Sequence, residues 1–416
     1  MIKEKRFWIG LSLLNLVVVA LFGFLMRSKM LFPIPFLDYR NLLSAHSHFA
    51  FGGWVGLALI TLLLYDVLPK EQAQKKIYQL ILSGIEISSV GMALSFPFFG
   101  YNFVSIFFST LYIVVTYVFG WVVFKDLKKA AMSPVVKWLS LGAVASLILS
   151  SVGPAGLSYI IITKSTNSLL YRDSIYTFLH LQYNGFFTLT IFAAFFSYWI
   201  KKGFSLPPSA KRFTFFLLAS VVPTLFLALL WHNLIIFYVI AAAGCLCILF
   251  SVYYFLPVFH FSLQKTFFDS SVARTLWTVS FVSFIIKMVL TIGTIYPSLG
   301  NAVYGARPVI IGFLHLVFLA FVSFYLLSNI VREGYFTAFR KVVAYPFYLF
   351  GLGVLANEIL LMIQGLEILL KTNNPVYNRL LWGAAILLLT GALALAFEFY
   401  RRQSANKKAA GVTAAS

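Results

Sequence analysis

Charge is scarce in this chain. Only 11% of its 416 residues are Asp, Glu, Lys or Arg, and just 12 are acidic, whereas a soluble domain carries about 25% charged residues. So thin a polar complement excludes a soluble globular enzyme, and a 61% hydrophobic content excludes disorder as well. Cysteine is nearly absent: Cys245 and Cys247 share one apolar stretch. At i and i+2 of a helix they point to different faces, so they read as core residues without a disulfide. No Walker loop, GxSxG, CxxC or HExxH occurs. No soluble domain interrupts the chain, and no close internal repeat supports an inverted-repeat transporter.

What is present is a succession of apolar runs, each of about 20 residues, enough to cross a bilayer as a helix. Twelve spans are expected, at roughly 7–27, 45–67, 77–99, 103–124, 138–163, 175–200, 213–232, 234–256, 276–297, 308–331, 342–365 and 380–400. The fold class is therefore an all-α polytopic membrane protein, with a twelve-helix domain over 1–400. A basic, Ala-rich cytoplasmic tail over 401–416 is expected to be disordered. The first span follows Lys3, Lys5 and Arg6 as a signal peptide would, but it is long and lacks a small-x-small cleavage site, so it is read as a retained helix.

The net charge of +20 sits in the short loops between spans, which makes the bilayer, and not nucleic acid, the partner. With a cytoplasmic N-terminus, 23 of the 32 Lys and Arg fall inside and 8 outside, with Lys287 left within a span. That bias predicts both termini on the cytoplasmic side of a bacterial-type inner membrane.

The histidines are not scattered. His46 and His48 open span 2, His180 lies early in span 6, His232 ends span 7, and His315 lies early in span 10. Under this topology all five fall in roughly the outer third of the membrane, at 1.5 Å rise per residue; only His260 lies elsewhere. Imidazole is costly in hydrocarbon unless paired, so five at one depth point to a haem or metal held between helices. His46 and His48 face about 200° apart, so one is expected to ligate while the other hydrogen-bonds or serves a neighbouring site. Gly52, Gly53 and Gly56 would let another backbone or a flat cofactor approach.

Arg40, Arg172, Arg307 and Arg379 stand just before spans 2, 6, 10 and 12. Their guanidinium forks would suit haem propionates, Arg307 and Arg40 foremost. Glu86, Lys287, Asn357 and Glu358 lie at depth, and Lys287 with Glu358 is expected to form a pair or steps of a proton route.

Twelve spans with outer-level histidines on spans 2, 6, 7 and 10 resemble the catalytic subunit of the haem–copper oxidase superfamily, nitric oxide reductases included. LLSAHSH resembles the span 2 signature, and GFLHLVFLAF the span 10 signature with His315 at the low-spin haem position. HLQYNGFF is similar to the nitric oxide reductase span 6 segment, which makes His180 a metal ligand and puts Asn184 where Glu is usual. LWHN is similar to the span 7 His-His pair, with His232 kept and Asn233 in place of the second His. Phe313 occupies the high-spin haem position. The resemblance thus implies a low-spin haem b on His46 or His48 and His315, with electron transfer or gas binding in place of coupled oxygen reduction. It leaves copper or non-haem iron at His180 and His232 as a second cofactor, and a cytochrome or quinol as electron donor. HSHFAFGG is also similar to the HxHxxxFG pattern of NnrS-type haem–copper proteins of nitric oxide stress. A third reading is a haem-free transporter whose histidines only hydrogen-bond.

Overall fold

The chain folds, in a computed structural model, as a bundle of long helices, and among the described residues there is no strand. Residues 2–264, 267–336, 341–370, 372 and 374–413 are described; Lys265, Arg340 and Lys371, three of the loop cations used above for sidedness, lie outside them. The helices are α1 (Ile2–Leu31), α2 (Tyr39–Val67), α3 (Lys76–Phe99), α4 (Phe103–Lys129), α5 (Pro134–Thr163) and α6 (168–201). They continue as α7 (Pro208–His232), α8 (Ile235–Ser262), α9 (Ser271–Gly293), α10 (Arg307–Arg332), α11 (Lys341–Leu369) and α12 (Val376–Thr413).

Eleven of them are long and apolar enough to cross a membrane. The expected sixth span, α6, is continuous helix but not among the eleven, because it carries His180, Gln182 and Asn184 near its middle. Those polar side chains are buried, as are most side chains of the following turns. Inward polarity lowers the mean hydropathy of a helix without making it soluble. α12 continues as helix to Thr413, through most of the stretch expected to be a disordered tail.

Helix boundaries follow local chemistry. The side chain of Asp38 accepts from the backbone N–H of Arg40 and Asn41 at 2.8 and 2.9 Å, and so caps α2. Asn102, Asn167 and Ser270 cap α4, α6 and α9 in the same way. Asn233, left-handed at φ 55°, ends α7.

α2, α6 and α10 form the inner ring. Nine-tenths of the apolar stretch of α2 is buried, against about a quarter for α4 and α8 at the periphery. Each inner helix carries a histidine about 135 residues from the next, and each turns π-helical within a few residues of it, at Ala50–Gly56, Leu181–Phe187 and Leu316–Ser323. Phe51, Phe187 and Phe318 from the three π segments meet with ring centroids 4.5–5.7 Å apart. The sequence shows no repeat, yet a four-helix spacing recurs in the structure because it resides in backbone form and depth, and the side chains around it differ.

Towards the end of the bundle that carries the N-terminus, Phe192, Phe195, Phe196 and Trp199 of α6 are almost fully buried against rings of α7, α8 and α9. Each such ring pair contributes roughly 0.5–1.5 kcal/mol beyond area burial. At that same end Lys5 of α1 pairs with Asp66 of α2 and with Glu333 just after α10. The Nζ of Lys201 donates to the Asp66 carbonyl at 2.6 Å, and the Arg332 guanidinium lies 3.4 Å from the Tyr198 ring centroid. At the other end, α1 closes against α12, where the Trp382 indole donates to Ser28 Oγ at 3.0 Å.

Candidate functional site

A cavity of about 510 Å³ lies between α1, α2, α10, α11 and α12. Helical periodicity explains its walls. Tyr39, Leu43, His46 and Ala50 share one face of α2, and Arg307, Ile311, His315 and Phe318 share one face of α10. α1 contributes Val19, Gly23 and Arg27 at steps of four, and α11 contributes Asn357, Leu361 and Gln364. Most of the lining is apolar. The polar exceptions are the two histidines, Ser47, the amides, and a group formed by Arg27, Arg307, Tyr39 and Asn378.

Both histidines are held by the same device. His46 Nδ1 donates to the Val19 carbonyl across the helix pair at 3.0 Å. His315 Nδ1 donates to the Ile311 carbonyl one turn back at 2.8 Å. With the proton fixed on Nδ1, the lone pair is on Nε2, the atom a neutral imidazole offers to a metal. Gly23 lets α1 come up to His46: a Cβ there would lie 3.4 Å from the imidazole Cε1. Two imidazoles on different helices, a largely apolar cavity and guanidinium groups at one end form a donor set that would suit a haem with its propionates on the arginines.

His48 is not part of this wall. Its Nδ1 donates to the Ser44 carbonyl at 2.9 Å, and its ring stacks on Phe96 of α3 at 4.6 Å. Of the α2 pair, the structure places His46 on the cavity. Arg307 lines it, 5.4 Å from the Tyr39 ring centroid. Arg40 does not: it is exposed and serves the α2 cap through its backbone. Arg27, counted from sequence as a loop charge, is within α1 and takes the position expected of Arg40. The i, i+4 step from Gly23 to Arg27 was the signal for it, visible only once α1 is known to run to Leu31.

His180 and His232 are not brought together. His180 is buried with both ring nitrogens engaged, Nε2 at 2.7 Å from the Val221 carbonyl and Nδ1 at 3.0 Å from the Asn184 amide. His232 Nε2 meets Asp173 at 2.9 Å, and Asp173 also accepts from the Trp231 indole. Among the described residues no three His, Cys, Asp or Glu side chains converge as metal ligands. His180 instead borders a space of only about 40 Å³ with Tyr183, Thr224 and Phe313, and Leu314 stands in the wall between it and the larger cavity. His260 is exposed near the C-terminal end of α8.

The other polar residues at depth are settled locally. Lys287 donates to Thr188 Oγ1 at 3.2 Å and Glu358 accepts from Asn357 at 3.2 Å, so the pair expected between Lys287 and Glu358 does not form. Glu86 accepts from Asn15, whose amide also donates to the Gly53 carbonyl at 2.8 Å. Gly52 and Gly56 make room for Tyr112 of α4, so these glycines serve helix packing and not the cavity.

No family model matches the chain, and no curated protein matches it.

Proposed function

We propose that the chain is a haem-binding integral membrane protein in which His46 and His315 are the two axial ligands of one low-spin haem b. The observation that carries this is their placement on one wall-to-wall cavity, each with Nδ1 committed to a backbone carbonyl and Nε2 free to ligate. Arg27 and Arg307 hold the propionates. A bis-imidazole haem supplies one-electron transfer between ferric and ferrous iron. The protein's own part is to fix the tautomers, keep water from the ring edges with apolar side chains, and tune the potential through the charges of Arg27 and Arg307.

The reading includes sidedness. The inner-end cluster of Lys5, Lys201 and Arg332 supports a cytoplasmic N-terminus in an inner membrane. It does not include an oxygen-reducing centre. His180 has no free nitrogen, and Phe313 and Asn233 bring no ligand, so copper or non-haem iron at His180 and His232 does not fit the donor set. The test is a reduced-minus-oxidised spectrum with a pyridine haemochrome assay on protein from haem-replete cells. A Soret band and one b-type haem per chain are expected. A colourless protein would sink the proposal and favour the haem-free transporter.

A further inference from the structure

α9 and α10 are joined by hydroxyls that donate across the seam between them. Ser280 Oγ of α9 donates to the Phe321 carbonyl of α10 at 2.6 Å, and Ser328 Oγ of α10 donates back to the Ala273 carbonyl at 2.7 Å. Ala273, Trp277 and Ser280 share one face of α9 at helical spacing, as Phe321, Tyr325 and Ser328 do on α10. Trp277 therefore holds the middle position of the seam. Its side chain is 2% exposed, and among the described residues its indole Nε1–H has no hydrogen-bond partner. A buried donor left unpaired is costly. The same residue borders a small space of about 10 Å³, together with Tyr325, Ser328, Asn329 and Arg332 of α10. Tyr325, Ser328 and Asn329 are themselves buried.

We propose that this space binds a single water molecule, which accepts a hydrogen bond from the Trp277 indole and completes the seam between α9 and α10. Size and donor set select that ligand. One water needs about 10–15 Å³ of such room and two to four polar partners. The indole N–H can only donate, so its partner must be an acceptor. Ser328 has committed its proton to Ala273, which leaves lone pairs to accept from the water. The Asn329 amide nitrogen donates to Asp66 Oδ2 at 3.4 Å, so the amide oxygen is a second acceptor. A halide is larger, would meet the same lone pairs, and finds no spare cation. The Arg332 guanidinium already lies against the Tyr198 ring and 3.7 Å from Glu333. An apolar gas would leave the indole unpaired. Through Asn329 the water ties α9 to Asp66, the carboxylate that Lys5 of α1 already holds.

The experiment is NMR of the full chain in nanodiscs with isotope-labelled tryptophan, the Trp277 signal being the one missing from Trp277→Phe. Its N–H should show a cross-peak to a long-lived water. The cross-peak should persist in Tyr325→Phe, where no tyrosyl hydroxyl remains to relay it. Ser328→Val crowds a space with room for one molecule, so there the cross-peak should vanish while the N–H signal stays and moves upfield. Loss of the cross-peak in Tyr325→Phe, or its survival in Ser328→Val, overturns the site. So does a wild-type N–H without any water cross-peak, as a donor facing an aromatic ring would give. A signal that moves when chloride is exchanged for bromide overturns it in favour of an anion. Should Ser328→Val fail to fold, the wild-type and Tyr325→Phe spectra decide alone.

Discussion

At the scale of single residues, the two histidines of α2 are chemically alike and separated by one serine, yet only His46 faces the cavity. His46→Ala and His315→Ala should each abolish the low-spin spectrum, whereas His48→Ala and His260→Ala should leave it in place; optical and electron paramagnetic resonance spectra of the four variants decide. Equal loss from all four would indicate misfolding and not ligation. Arg27 and Arg307 line the same cavity, where the proposed haem would place its propionates. Arg27→Leu or Arg307→Leu should weaken haem retention by about 1.5–3 kcal/mol, the usual worth of a hydrogen bond to a charged partner, read as faster haem loss to an apo-globin acceptor. Arg40→Leu should change neither, since that side chain is exposed. His315 and Arg307 were legible in the sequence because eight residues place two side chains on one helical face. The choice of His46 over His48 was not, because it depends on Val19 of a different helix offering its carbonyl. Arg27 was hidden by a charge that looks like the end of a span.

Elements were easier to read than sites. Span positions follow from apolar run length, which is why eleven of twelve expected spans meet the same test in three dimensions. The π segments left no trace, since an extra residue per turn is a matter of backbone hydrogen bonding and needs no special composition. Two elements can be tested through their contacts. Gly23→Val should press on the His46 ring and shift or lose the low-spin signal while α1 stays helical, measured by circular dichroism beside the haem spectrum. Near the N-terminus, Lys5 joins α1, α2 and the turn after α10. Asp66→Asn removes a buried counter-charge and should lower stability by about 3 kcal/mol. Glu333 behaves differently, because burial and the neighbouring Asp66 carboxylate push its carboxyl above the usual range. A folded-state pKa above the unfolded value means that its contribution is greatest at low pH and is lost as pH rises through the folded pKa. Glu333→Gln mimics the protonated form, so it should cost little and flatten that part of the pH dependence, as followed by thermal unfolding in detergent from acid to neutral pH.

For the whole molecule, the histidine set resolves into one assembled cavity and one dispersed remainder. Purified protein with an artificial reductant should therefore transfer electrons but not sustain oxygen or nitric oxide consumption. Cyanide-sensitive turnover at respiratory rates that is lost in His180→Ala would show that His180 breaks its two hydrogen bonds to take a metal.

The seam between α1 and α12 carries a consequence for how the molecule is made. Walls of the histidine cavity come from the first two helices and the last three, so a ribosome must deliver residues 55–306 between the first half of the pocket and the second. Through most of synthesis, His46 waits in the membrane without its counterpart, and α1 without the helix that covers it. If the cavity holds the proposed haem, that group cannot be clasped before α10 is inserted and is sealed in when α12 docks, so a chain halted before residue 376 should be inserted normally and leave the membrane colourless.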